Sequence, residues 1–108
     1  MNKHDYYLDM LVNHVDIIDE DGLRWMMKNC IWRPNGSDKK MCDLICVHSD
    51  NAIPIEMKGN TRYRDYAMLQ ILSGRAFIED ELGMDCPYGK FVLYPNGGGK
   101  FSYERIEF

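Results

Sequence analysis

Three charged residues stand in runs whose pattern is otherwise that of buried strands. Asp43 lies in Met41-Cys42-Asp43-Leu44-Ile45-Cys46-Val47, and Glu56 and Lys58 lie in Ala52-Ile53-Pro54-Ile55-Glu56-Met57-Lys58. The turn residues Ser49-Asp50-Asn51 between the runs join them as a hairpin. A turn centred on Asp50-Asn51 predicts Asp43 opposite Lys58 and Ile45 opposite Glu56. Alternation then puts Asp43, Ile45, Glu56 and Lys58 on one face, with Glu56 diagonal to Asp43. Carboxylates that close repel, and burying them unpaired is costly, so the pattern calls for a cation. Oxygen ligands from Asp43, Glu56 and the backbone carbonyl of Met57 suit Mg²⁺, with Mn²⁺ as a substitute, and such an ion can recruit a phosphate oxygen. A metal-bound water is the better nucleophile, and Lys58 can orient it or neutralise charge developing on the phosphate. The chemistry this predicts is phosphodiester hydrolysis.

The elements around the hairpin must position these groups. Leu8, Leu11, Val12, Val15 and Ile18 recur at helical steps, predicting one amphipathic helix from Tyr7 to Ile18 that ends in Asp-Glu-Asp-Gly at 19–22. A strand is expected from Asn29 to Arg33. Pro34-Asn35-Gly36-Ser37-Asp38 reads as a turn. Arg62 to Leu82 is helical in pattern and free of proline, with Tyr63, Ala67, Gln70, Ile71, Gly74 and Ile78 on one side. Phe91-Val92-Leu93-Tyr94 and Phe101-Ser102-Tyr103 read as strands around the glycine loop at 97–99. No helix pattern follows those glycines, so they are expected to form a hairpin loop and not a phosphate cradle. The predicted order is α-β-β-β-α-β-β.

With 108 residues, 45% hydrophobic and 28% charged, the chain is expected to form a single domain spanning 1–108. It has no long apolar run and no apolar signal core near its first residues, which predicts a cytoplasmic protein with no membrane partner. Cys30, Cys42, Cys46 and Cys86 make no CxxC pair and read as reduced structural thiols. The net charge of −4 hides segregation: residues 22–64 carry +4, while 1–21 carry −5 and 65–108 carry −3. A polyanion would meet the basic middle, and the acidic ends are expected to face away. Candidate nucleic-acid contacts are Arg33, Lys39, Lys40, Arg62 and Arg64, with Tyr63 and Tyr66 able to stack on bases. His4, His14 and His48 are not spaced with a second ligand and read as solvated. Met68 and Leu72 share a helical stripe with Asp65, Arg75 and Glu79, the basis for expecting a homodimer.

Asp43, twelve intervening residues and then Glu56-Met57-Lys58, in that element order, resemble the signature of the PD-(D/E)XK nuclease superfamily. The resemblance covers about residues 5 to 95 and implies a restriction-endonuclease-like α/β fold: an α-β-β-β-α-β core with a mixed sheet flanked by helices. It also implies a metal-dependent endonuclease or exonuclease, with DNA placed ahead of RNA as substrate. Some branches add a glutamine from the following helix, which matches Gln70, twelve residues after Lys58. The implied catalytic set is Asp43, Glu56, Lys58 and Gln70, with Mg²⁺ held by Asp43, Glu56 and Met57. Family members often add a first-helix acid, for which this chain offers Asp9, Asp16, Asp19 and, at the helix end, Glu20. Cysteine ligands of iron-sulfur members are missing, and Cys42 and Cys46 are expected to face away from Asp43. The alternative is a catalytically inactive nucleic-acid-binding or protein-interaction module on the same fold.

Overall fold

Asn2 opens the first helix, α1 (Lys3–Leu11), by accepting the Asp5 N–H on its side-chain oxygen at 2.8 Å. The computed structural model describes residues 2–18, 22–36, 41–95 and 99–108. Instead of one helix reaching Ile18, the chain forms α1 and a single turn, α2 (Val15–Ile18). Between them Asn13 and His14 bond to the carbonyls of Met10 and Leu11, three residues back, which tightens and ends α1. The break lets Leu8 and Leu11 from α1 and Ile17 and Ile18 from α2 enter one core.

Five strands follow the predicted succession: β1 (Trp25–Lys28), β2 (Leu44–Val47), β3 (Ala52–Lys58), β4 (Tyr88–Leu93) and β5 (Ser102–Glu107), with α3 (Arg64–Asp80) between β3 and β4. They form one mixed sheet in sequence order, in which only β3 and β4 are parallel. A parallel pair requires a crossover, and α3 supplies it. The result is an α/β fold, with helices on both faces of the sheet.

The first strand begins four residues before its expected place. Met26 packs toward α1 and Met27 toward the opposite core, as alternation requires. Asn29 then takes φ +54, which ends the strand. Trp32 packs edge-on against Phe77 and donates to Glu81 at 3.1 Å. The hairpin register also differs. Leu44 pairs with Ile55 and Val47 with Ala52, because the turn is centred on Ser49-Asp50 and closed by the His48 N–H to the Asn51 carbonyl. Asp43 therefore adjoins Glu56, not Lys58. The slip is two residues, an even number, so the side chains within the paired ladder keep their predicted faces, whereas Cys42, ahead of it, turns to the α3 side.

Leu44, Cys46, Ile53, Ile55, Met57 and Val92 pack under α1 and α2. Ile45, Val47, Ala52 and Phe91 face α3, whose buried stripe is Ala67, Ile71, Gly74 and Ile78. Lys90, buried in β4, donates from Nζ to the Ile17 carbonyl and fixes the end of α2. Among the described residues, no helix is long and apolar enough to cross a membrane. Residue 96–98 structure lies outside those residues, so the expected glycine loop is described only by the antiparallel strands it joins.

Gly74 and Gly89 bring α3 close to the sheet. A Cβ on Gly74 would lie 2.7 Å from both Cys42 Sγ and the Pro54 ring, and one on Gly89 would lie 2.6 Å from Ile71. Gly74→Val should therefore lower stability by about 1–3 kcal/mol, because the Pro54 ring cannot yield and valine recovers little helix propensity. A urea midpoint equal to that of the wild type would show that α3 is free to shift outward.

Candidate active site

Asp43 and Glu56 meet where the β2–β3 ladder ends. The Asp43 N–H donates to Glu56 Oε1 and the Met57 N–H donates to Asp43 Oδ2, each at 2.9 Å. These side-chain acceptors replace ladder carbonyls, which is why β2 starts at Leu44 and not at the expected Met41. The second oxygen of Glu56 pairs with Lys58 Nζ at 3.0 Å. Glu56 is 1% exposed, whereas Lys58 reaches solvent from the strand end. Met57 buries its side chain and turns its N–H toward Asp43; in an extended strand its carbonyl points to the same side.

A residue the sequence reading placed in solvent completes the group. His4 Nε2 lies 3.0 Å from Asp43 Oδ2, and its ring is only one-third exposed. Donor atoms of His4, Asp43 and Glu56 all lie within 4.8 Å of one another. The helical step from His4 to Leu8 to Leu11 was the available signal: a residue on the same stripe as two core leucines must approach the sheet. Of the four first-helix acids, Asp19 and Glu20 lie outside the described residues, Asp16 is exposed on α2, and Asp9 pairs with Lys28 at 2.7 Å.

Electrostatics at this point are governed by too much negative charge in too little water. Burial, with the Asp43 carboxylate as the next cause, raises the Glu56 pKa above the usual carboxylate range despite Lys58. The hydrogen bond to Asp43 raises His4 to about 9, so the imidazole carries a proton at neutral pH. A divalent cation in place of that proton would supply the same neutralisation. The donor set of two carboxylates, an imidazole and the Met57 carbonyl fits one.

Lys58 also lines a cleft of about 390 Å³ with Tyr63, Tyr66, Leu69, Gln70 and Ser73. Gln70 therefore lines the same cleft as Lys58. Arg62 stacks over the Tyr63 ring at 4.9 Å and donates to its hydroxyl at 2.9 Å, which keeps it at this rim. The other basic residues are not gathered there. Arg64 makes a two-pronged pair with Glu104 on β5, at 2.8 and 2.7 Å. Arg33 follows Trp32, which is bonded to Glu81 beyond the end of α3. Lys39 and Lys40 lie outside the described residues. The acidic ends do not turn away from the basic middle: Asp9 holds Lys28 and Glu104 holds Arg64.

Of the two expected dimer residues, Leu72 is exposed, but Met68 leans on the core of Ala67, Ile71 and Phe91. Cys46 is buried under α1, and Cys42 packs beneath α3 with its thiol on the Leu44 carbonyl. Among the described residues no cysteine joins the donor group. Compared with protein-family models, curated proteins and solved structures, the chain matches none of them.

The His4 shift sets a pH dependence for the metal-free protein. Its folded pKa is raised from 6.5 to about 9, so the stabilisation is complete below 6.5 and is lost as pH rises through 9. Glu56, also raised, acts in the same sense. Urea unfolding in chelator should show stability falling across that window, with a shallower fall in His4→Ala. A flat profile in the wild type would mean that the imidazolium does not pair with Asp43.

Proposed function

We propose that this chain is a small metal-dependent nuclease of the PD-(D/E)XK type, a cytoplasmic phosphodiester hydrolase acting on DNA ahead of RNA. The observation that carries the reading is the position of Lys58. Its ammonium contacts the buried Glu56 carboxylate on one side and lines the Gln70 cleft on the other. A phosphate drawn to an ion at Asp43 and Glu56 would meet a fixed positive charge there.

Mg²⁺ or Mn²⁺ held by Asp43, Glu56 and the Met57 carbonyl would lower the pKa of a bound water and polarise the phosphate. The protein's own groups do the rest. Asp43 is oriented by the Met57 N–H, and Glu56 by the Asp43 N–H, which ties both carboxylates to the backbone. Lys58 opposes charge developing on the phosphate oxygens, and Gln70 offers an amide within the same cleft. Tyr63 and Tyr66 present aromatic faces for bases, and Arg62 a cation for the backbone.

Cleavage of DNA and RNA with Mg²⁺ or Mn²⁺ tests this directly. Asp43→Asn and Lys58→Met should each lower the rate by about a hundredfold or more while leaving the fold intact. Cleavage unchanged in both variants, or absent from the wild type on every substrate, would refute the reading. Binding measured with Ca²⁺ should weaken with salt, and Arg62→Ala should reduce the log–log slope by about one. Arg64→Ala should reduce it less, since Glu104 already neutralises Arg64. The second reading, an inactive nucleic-acid or protein-interaction module, is favoured by Tyr66, Leu69 and Leu72, exposed on α3 at 67, 64 and 43%. Such a surface also suits a homodimer, which sedimentation at micromolar concentration would detect.

A further inference from the structure

We infer that His4 is a direct ligand of the ion at Asp43 and Glu56, and that its nitrogen selects a first-row transition ion over Mg²⁺. The inference rests on the metal-site reading above and adds to it the identity of the metal. The His4 Nε2 to Asp43 Oδ2 separation of 3.0 Å is that of a hydrogen bond. It is also the separation of two neighbouring donors around one octahedral ion with bonds of about 2.1 Å. The third donor, from Glu56, lies within 4.8 Å of both, so little movement is needed to close the set.

The other ring nitrogen supports the same role. A ligating histidine usually gives its remaining N–H to a carboxylate, which fixes the ring's orientation and tautomer. His4 Nδ1 faces Asp5 Oδ1 at 3.4 Å. Asp5 in turn is held in the first turn of α1 by the Asn2 cap. The helix therefore presents a supported imidazole, aimed by its buried Leu8 and Leu11 stripe at the end of β2 and β3.

Donor chemistry then decides the ion. Mg²⁺ is hard and is served by oxygen, whereas an imidazole beside two carboxylates suits ions such as Mn²⁺, Fe²⁺ and Co²⁺. Two carboxylates and a backbone carbonyl alone would not discriminate strongly. His4 is the discriminating ligand.

Mn²⁺ is the probe, because it accepts both donor types and is paramagnetic. Pulsed EPR of the wild-type chain loaded with Mn²⁺ should show coupling to an imidazole nitrogen, and His4→Asn should lose it. Calorimetry should show tighter binding of Mn²⁺ than of Mg²⁺ in the wild type, with the affinity ratio falling by about tenfold or more in His4→Asn. Mn²⁺ bound to the wild type without nitrogen coupling overturns the inference and leaves the nuclease reading to the cleavage assay. An unchanged ratio in a folded His4→Asn, checked by circular dichroism, also overturns it. Failure of the wild type to bind Mn²⁺ at all overturns both readings.

Discussion

The exchange of hydrogen bonds between Asp43 and the Glu56-Met57 pair is the constraint on which the rest of the site depends. A ladder would have joined these strands through backbone carbonyls. Instead each strand donates an N–H to a carboxylate of the other. The exchange sets the start of β2 at Leu44 and holds both carboxylates at the place where the strands part. It also binds the orientation of both carboxylates to the backbone. The cost is charge. A carboxylate buried as deeply as Glu56 needs compensation, and the fold supplies Lys58 from the same strand and His4 from α1.

Both helical layers can be understood from that demand. On one face α1 buries Leu8 and Leu11 and, with them, carries His4 to the open end of the hairpin. On the other, Gly74 and Gly89 let α3 and the Pro54 ring approach closely. That approach places Gln70 and the exposed Tyr66 above Lys58, leaving a cleft. Pro54 in a central strand breaks a local rule, since it has no N–H for the ladder. Its ring fills the space that the two glycines leave open. Lys58 is common to both layers of the site: its ammonium balances Glu56, and its stem forms part of the cleft wall.

Charge along the chain and charge on the surface are different quantities here. The basic segment 22–64 is strong in sequence, yet folding brings acidic residues from both ends onto it, Asp9 to Lys28 and Glu104 to Arg64. Arg62 keeps a different environment, stacked on Tyr63 at the cleft rim. Any polyanion would therefore meet a local arrangement of Lys58, Arg62 and two tyrosines. The average charge of the segment says little about it.

The sequence by itself determined the order of the strands, the crossover helix and the faces of the paired strand residues, because these follow from periodicity and survive small errors of register. A hairpin misplaced by two residues still presents the same side chains to the same face. Long helices with a clear stripe, such as α3, were legible for the same reason. What the tertiary structure decided was which neighbours these groups have. Asp43 adjoins Glu56 because the turn closes on Ser49-Asp50, a choice among polar turn residues that propensity does not resolve. β1 lies at Trp25–Lys28, and Trp32, expected in that strand, packs instead against Phe77. His4 reaches Asp43 across 39 positions of chain. Its step to Leu8 and Leu11 could announce only that it faces inward; no spacing announces which strand end it will meet. Contacts of that kind come from the packing of whole layers, which local sequence does not encode.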